Sequence, residues 1–106
     1  MVRRRQFRGK RQREELKRNM GFRLKINSSA QLDLKIAIDW YEAKKVGLGK
    51  RILDDLEKIL NRIQSDPYIF RLEGGYRNAL LDVFPYIVIF EIDRQEIIIL
   101  AVSNTH

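Results

Sequence analysis

The run YRNALLDVFPYIVIFEIDRQEIIILAV, from Tyr76 to Val102, constrains this chain more than any other stretch. It holds three apolar segments, Asn78–Phe84, Tyr86–Ile92 and Ile97–Val102, separated by Pro85 and by the polar Asp93-Arg94-Gln95-Glu96. Segments of this length, rich in Ile, Val, Phe and Tyr and bounded by turn chemistry, read as strands in an antiparallel meander. No comparable β-branched run occurs earlier. The rest of the domain is expected to cover this sheet.

Upstream, Phe22-Arg23-Leu24-Lys25-Ile26 alternates apolar and basic residues, the pattern of a strand with one buried face. Asn27-Ser28-Ser29 ends it and opens a helix. Ser28 is the expected N-cap, with Gln31 completing a capping box. This helix is expected to run to about Lys45, with Leu34, Ala37, Ile38 and Tyr41 as its core stripe and Leu32, Ile36 and Trp40 widening it. Gly47-Leu48-Gly49 breaks the pattern. A second helix follows from about Lys50 to Ser65, with Ile52, Leu53, Leu56, Ile59, Leu60 and Ile63 recurring at helical steps, until Asp66-Pro67 stops it. The expected fold is α+β, in the order β-α-α-β-β-β: a four-stranded antiparallel sheet covered on one face by a two-helix hairpin.

A chain of 106 residues accommodates one such domain. Its net charge of +7 is unevenly placed: nine of the 21 basic residues but only Glu14 and Glu15 of the 14 acidic ones lie in residues 1–20. The remaining 12 of each sign cancel, so the domain itself is neutral. Residues 1–19 are expected to form a flexible basic arm and residues 20–106 the folded domain. The arm reads either as a solvated tail or as a salt-sensitive nucleic-acid contact.

Several chemistries find no residues to support them. The chain has no cysteine, and its one histidine is His106, which argues against thiolate chemistry, disulfides, a zinc site and a Ser–His–Asp triad. The glycine pairs Gly47/Gly49 and Gly74/Gly75 suit turns better than a phosphate loop. No cofactor is expected. No window is long and apolar enough to span a membrane, and the N-terminus lacks a secretory apolar core, so a cytoplasmic protein is expected.

What remains is a basic and aromatic set near the sheet, namely Arg71, Tyr76, Arg77 and Tyr86, with Lys50 and Arg51 at the start of the second helix as further binding candidates. Alternation places Arg77, Ala79 and Leu81 on one face and Tyr76, Asn78 and Leu80 on the other. The two later strands are apolar on both faces, while a helix hairpin covers only one. A protein partner across the other face follows, unless the sheet curls enough to bury both faces itself.

The succession DLKIAIDWYEAKKVGLGKRILDDLEKILNRIQSDPYIF (33–70), followed by YRNALLDVFPYIVIFEID and IIILAV, resembles the RelE/ParE superfamily of type II toxins. The WYE segment before GLGKR, the DP step and the YR–x–ALL–x–x–FPY block carry the resemblance together. It implies a bacterial toxin, of a kind associated with plasmid stabilisation and growth inhibition, whose cognate antitoxin wraps it. The implied targets are DNA gyrase for ParE-like members and mRNA on the ribosome for RelE-like members. RelE-type nucleases carry cations where this chain has Ala79 and Ile87, and they continue past the point where it ends in Asn104-Thr105-His106. A nuclease must stabilise a highly charged transition state and move protons. One arginine, Arg77, with a pKa above ~12 and one tyrosine, Tyr86, near ~10 are poorly equipped to do so. The expectation is therefore ParE-like action, with Arg77 and Tyr86 as the residues placed to act. A RelE-like endonuclease and a nucleic-acid-binding module built on the arm stay open as alternatives.

Overall fold

The computed structural model describes residues 21–105. The expected basic arm and His106 lie outside them. The order of elements is β1 (Arg23–Ile26), α1 (Ser28–Lys44), α2 (Leu48–Ser65), a 3-10 turn (Pro67–Ile69), β2 (Arg71–Glu73), β3 (Tyr76–Leu80), β4 (Tyr86–Asp93) and β5 (Glu96–Asn104).

These strands form one sheet in the order β1-β5-β4-β3-β2. The expectation of four antiparallel strands is corrected in two ways. A fifth strand, β2, pairs with β3 through a two-residue hairpin at Gly74 and Gly75, whose φ angles of 61° and 88° suit glycine. Three exposed residues, Arg71, Leu72 and Glu73, carry no alternation that would mark them as a strand. In addition, β1 runs parallel to β5, while the other pairs are antiparallel. Parallel neighbours need a long crossover, and everything from α1 to β4 lies between these two.

The first segment of the apolar run is also adjusted. β3 ends at Leu80, not Phe84, and residues 81–85 form a bent connection. Asp55 on α2 explains the break. Its Oδ2 accepts the main-chain N–H groups of Val83 and Phe84, both at 2.9 Å, which removes them from strand pairing.

The helix hairpin packs on the face that carries Ala79, Leu81, Val88, Phe90, Ile97, Ile99 and Val102, and buries it together with Ile52, Leu56, Ile59 and Ile63 of α2. Burial of Ile99 and Val102 alike, three residues apart, would violate strict alternation. A register shift resolves this: Phe90 pairs with Ile99 and Ile89 with Ala101, so Leu100 is an extra residue.

α1 begins one residue earlier than expected. Asn27 is the N-cap, its Oδ1 accepting from Ala30 N at 3.0 Å. Gln31 reaches back to the Ile26 carbonyl at 2.8 Å and does not close a capping box on Ser28. At the other end, Gly47 turns the chain with φ 97°. The Glu42 carboxylate then receives the N–H groups of Gly47 at 3.0 Å and Gly49 at 2.9 Å, satisfying the orphan donors at the start of α2.

Candidate functional site

The sheet face away from the helices is apolar at its centre. Pairing across the strands brings Ile98 beside Glu91, Ile89 beside both Ala101 and Asn78, and Ile87 beside Ser103 and Leu80. Ile87, Ile89, Ile98 and Ala101 are half-buried, and Leu80 is 62% exposed. Among the described residues no element lies over them, so both faces of β4 and β5 are apolar but only one is packed by a described element. Arg71 and Tyr76 belong to this open face. Arg71 pairs with Glu73 at 3.6 Å, and Tyr76 is exposed.

Arg77 projects to the helix side, in register with Phe90. Its guanidinium donates to the carbonyls of Phe70 at 2.8 Å and Tyr68 at 3.4 Å, and lies 5.2 Å from the centre of the Tyr68 ring. These contacts tie β3 to the 3-10 turn. Neither nearby carboxylate engages it: Asp82 faces Lys58 and Arg62, and no cation pairs with Glu91 among the described residues.

Tyr86 starts β4, four residues before Phe90, the partner of Arg77, and so stands about 13 Å from it along the strand. It packs near Tyr41, with ring centres 6.2 Å apart, in an aromatic cluster where Tyr41 also meets Phe84 and Trp40, each at 4.9 Å. Burial first, and then the nearby Tyr86, push the Tyr41 phenol above its ordinary pKa. Arg77 and Tyr86 therefore do not share a site. Lys50 pairs with Asp54 at 3.3 Å, and Arg51 is exposed beside a shallow depression lined by Asp54, Asp55, Lys58, Val83 and Phe84. Ala79 is 1% exposed beneath the helices, and Ile87 lies on the open face. Among the described residues no group of carboxylates or histidines could hold a metal, and no helix is long and apolar enough to cross a membrane.

One surface went unrecognised in the sequence. Leu32, Ile36 and Trp40 are 57%, 59% and 53% exposed and form an outward stripe on α1, contrary to the expectation that they widen its core face. Helical turning of about 100° per residue could have shown this, since it sets Leu32 roughly opposite Leu34 and Ile36 opposite Ile38. Ile36 and Trp40 join Tyr41, Pro85, Tyr86 and Asn104 around an open groove of about 540 Å³.

Two comparisons agree with this architecture. A solved chain from the chromosomal ParDE toxin–antitoxin system of P. aeruginosa has the same fold, with a TM-score of 0.72 at 20% identity, over 80% of this chain and 97% of that one. No curated protein sequence matches the chain significantly. A family model described as the ParE toxin of the type II toxin–antitoxin system, parDE, matches residues 24–106, which is every described element but the first residue of β1. The chain belongs to the ParE toxin family of type II toxin–antitoxin systems.

Proposed function

We propose that this toxin arrests growth by inhibiting DNA gyrase without cleaving RNA, and that a cognate antitoxin neutralises it by covering its apolar surface. The observation that carries the non-nucleolytic half is the engagement of Arg77. Its guanidinium is held by two main-chain carbonyls and a tyrosine ring, so the one cation where β3 matches the nuclease pattern is occupied in holding the fold. Cation positions of RelE-type nucleases are filled here by the buried Ala79 and by Ile87. A pair of groups able to donate and accept protons at one phosphate is not assembled among the described residues, since Arg77 and Tyr86 stand at opposite ends of their strand pair.

The open face of β4 and β5 supports the antitoxin half. A patch of Ile87, Ile89, Ile98, Ala101 and Leu80 rimmed by Arg71, Tyr76 and Glu91 has the apolar centre and polar rim of a protein interface. A gyrase target places the protein in the cytoplasm. Induced expression tests both halves: growth should stop, resume when the antitoxin is co-expressed, and show no codon-biased mRNA cleavage. Cleavage on ribosomes that disappears in Arg77→Ala would assign the RelE-type chemistry instead, and normal growth would remove the toxic activity.

A further inference from the structure

The two outer edges of the sheet differ in their charge pattern. In the order β1-β5-β4-β3-β2, β1 and β2 each have one side without a paired strand among the described residues. A bare edge offers unpaired main-chain groups to any other strand, including the same strand of a second copy. β1 reads Arg23-Leu24-Lys25-Ile26. Directly opposite residues of an antiparallel pair lie on one face, so two copies of β1 would set cation against cation wherever they set apolar against apolar. That edge repels itself.

β2 reads Arg71-Leu72-Glu73, and its signs are self-complementary. Two copies turned antiparallel about Leu72 would each place Arg71 opposite the other's Glu73. Within one chain these two residues meet only loosely, at 3.6 Å with both side chains mostly exposed, a contact that contributes little and is readily exchanged. The main chain is set for the same register. Glu73 pairs with Tyr76 to close the two-residue hairpin, so Glu73 and Arg71 turn their N–H and C=O groups toward β3. Leu72 between them turns its own pair outward. Apolar surface lies at this edge as well. Leu72 and Tyr68 line one small cavity, Ile69 stands in the turn that leads into β2, and all three side chains are more than half exposed.

We infer that two copies of this chain associate through β2, paired antiparallel about Leu72, so that two five-stranded sheets become one of ten strands. Each Leu72 N–H donates to the Leu72 carbonyl of the second copy, and two Arg71–Glu73 pairs close on the open side of the sheet. Leu72, Tyr68 and Ile69 of both copies meet on the helix side. The two-fold axis stands perpendicular to the sheet, as an isologous contact of this kind requires. Both helix hairpins then lie on one side and both open apolar faces on the other, next to each other. The association needs neither gyrase nor an antitoxin, so it stands or falls separately from the toxin's target.

Sedimentation equilibrium of the full chain tests this, with circular dichroism as the check on folding. Wild type should be dimeric at concentrations of ~100 µM, where even a small interface is populated. Glu73→Arg makes the edge wholly cationic and Arg71→Glu makes it wholly anionic, so each variant alone should weaken dimerisation by ~10-fold or more, because two attractive cross-strand pairs become repulsive. An equimolar mixture of the two variants should dimerise again, since each edge then faces its opposite. The chain carrying both substitutions keeps one charge of each sign on β2 and should dimerise by itself. A monomeric wild type would overturn the inference. So would folded single variants that dimerise as wild type does, which would move the contact to another surface, or a mixture that stays monomeric.

Discussion

The guanidinium of Arg77 donates to the carbonyl of Phe70 at 2.8 Å, fastening β3 to the turn that enters β2. Phe70 in turn packs edge-on against the buried Phe90, with ring centres 5.9 Å apart. Arg77→Ala would leave two carbonyls without this donor, at a cost of about 1–3 kcal/mol. Urea unfolding should show a lower midpoint with unchanged slope. A midpoint equal to that of wild type would mean the guanidinium is free for another task.

Asp55 anchors the bent connection before β4 in the same manner. It is 4% exposed, its Oδ2 accepts two main-chain amides, and its Oδ1 has no hydrogen-bond partner among the described residues. Asp55→Ala should lower stability by about 2–4 kcal/mol, since two partly buried donors lose their acceptor. In a domain of this size that lowers Tm by roughly 10 °C or more. Asp55→Asn keeps one acceptor oxygen and should be milder.

Gly49 sits where the two helices cross. A Cβ there would meet Glu42 Oε1 at 3.0 Å, Glu42 Cβ at 3.1 Å and the Ile38 carbonyl at 3.2 Å. Gly49→Ala would press on main chain and displace the carboxylate that caps α2, so a loss of about 1–3 kcal/mol is expected despite alanine's better helix propensity. A stabilised Gly49→Ala protein would show that the crossing can open without penalty.

Tyr41 confers a pH dependence at the alkaline end. Burial raises its pKa above the ordinary 10.0, so the neutral phenol is favoured in the folded state. Its contribution is complete below pH ~10 and is lost as pH rises through the folded value, because the unfolded chain ionises first. Tyr41→Phe should flatten stability against pH above that point, and phenolate absorbance should show one tyrosine titrating late. Identical alkaline unfolding in the variant would contradict this.

The parts of the fold legible in sequence are those where one interaction dominates. α2 shows itself because its core positions Ile52, Leu56, Ile59 and Ile63 alternate cleanly with charge. β4 and β5 show themselves through length and β-branching. β2 was hidden because its three residues are held by hairpin geometry at Gly74-Gly75 and not by burial. Along α1 two apolar stripes overlapped in a plain list of residues, and only their angular separation distinguishes core from surface. The roles of Arg77, Asp55 and Glu42 depend on contacts 7, 28 and 7 residues away, to which local patterning is blind.

DNA supercoiling by purified gyrase, titrated with the purified toxin, tests the central proposal most directly. Supercoiling should fall with increasing toxin and recover on adding the antitoxin, with Arg77→Ala inhibiting as wild type does per folded molecule. Full gyrase activity in a large excess of folded toxin would contradict it.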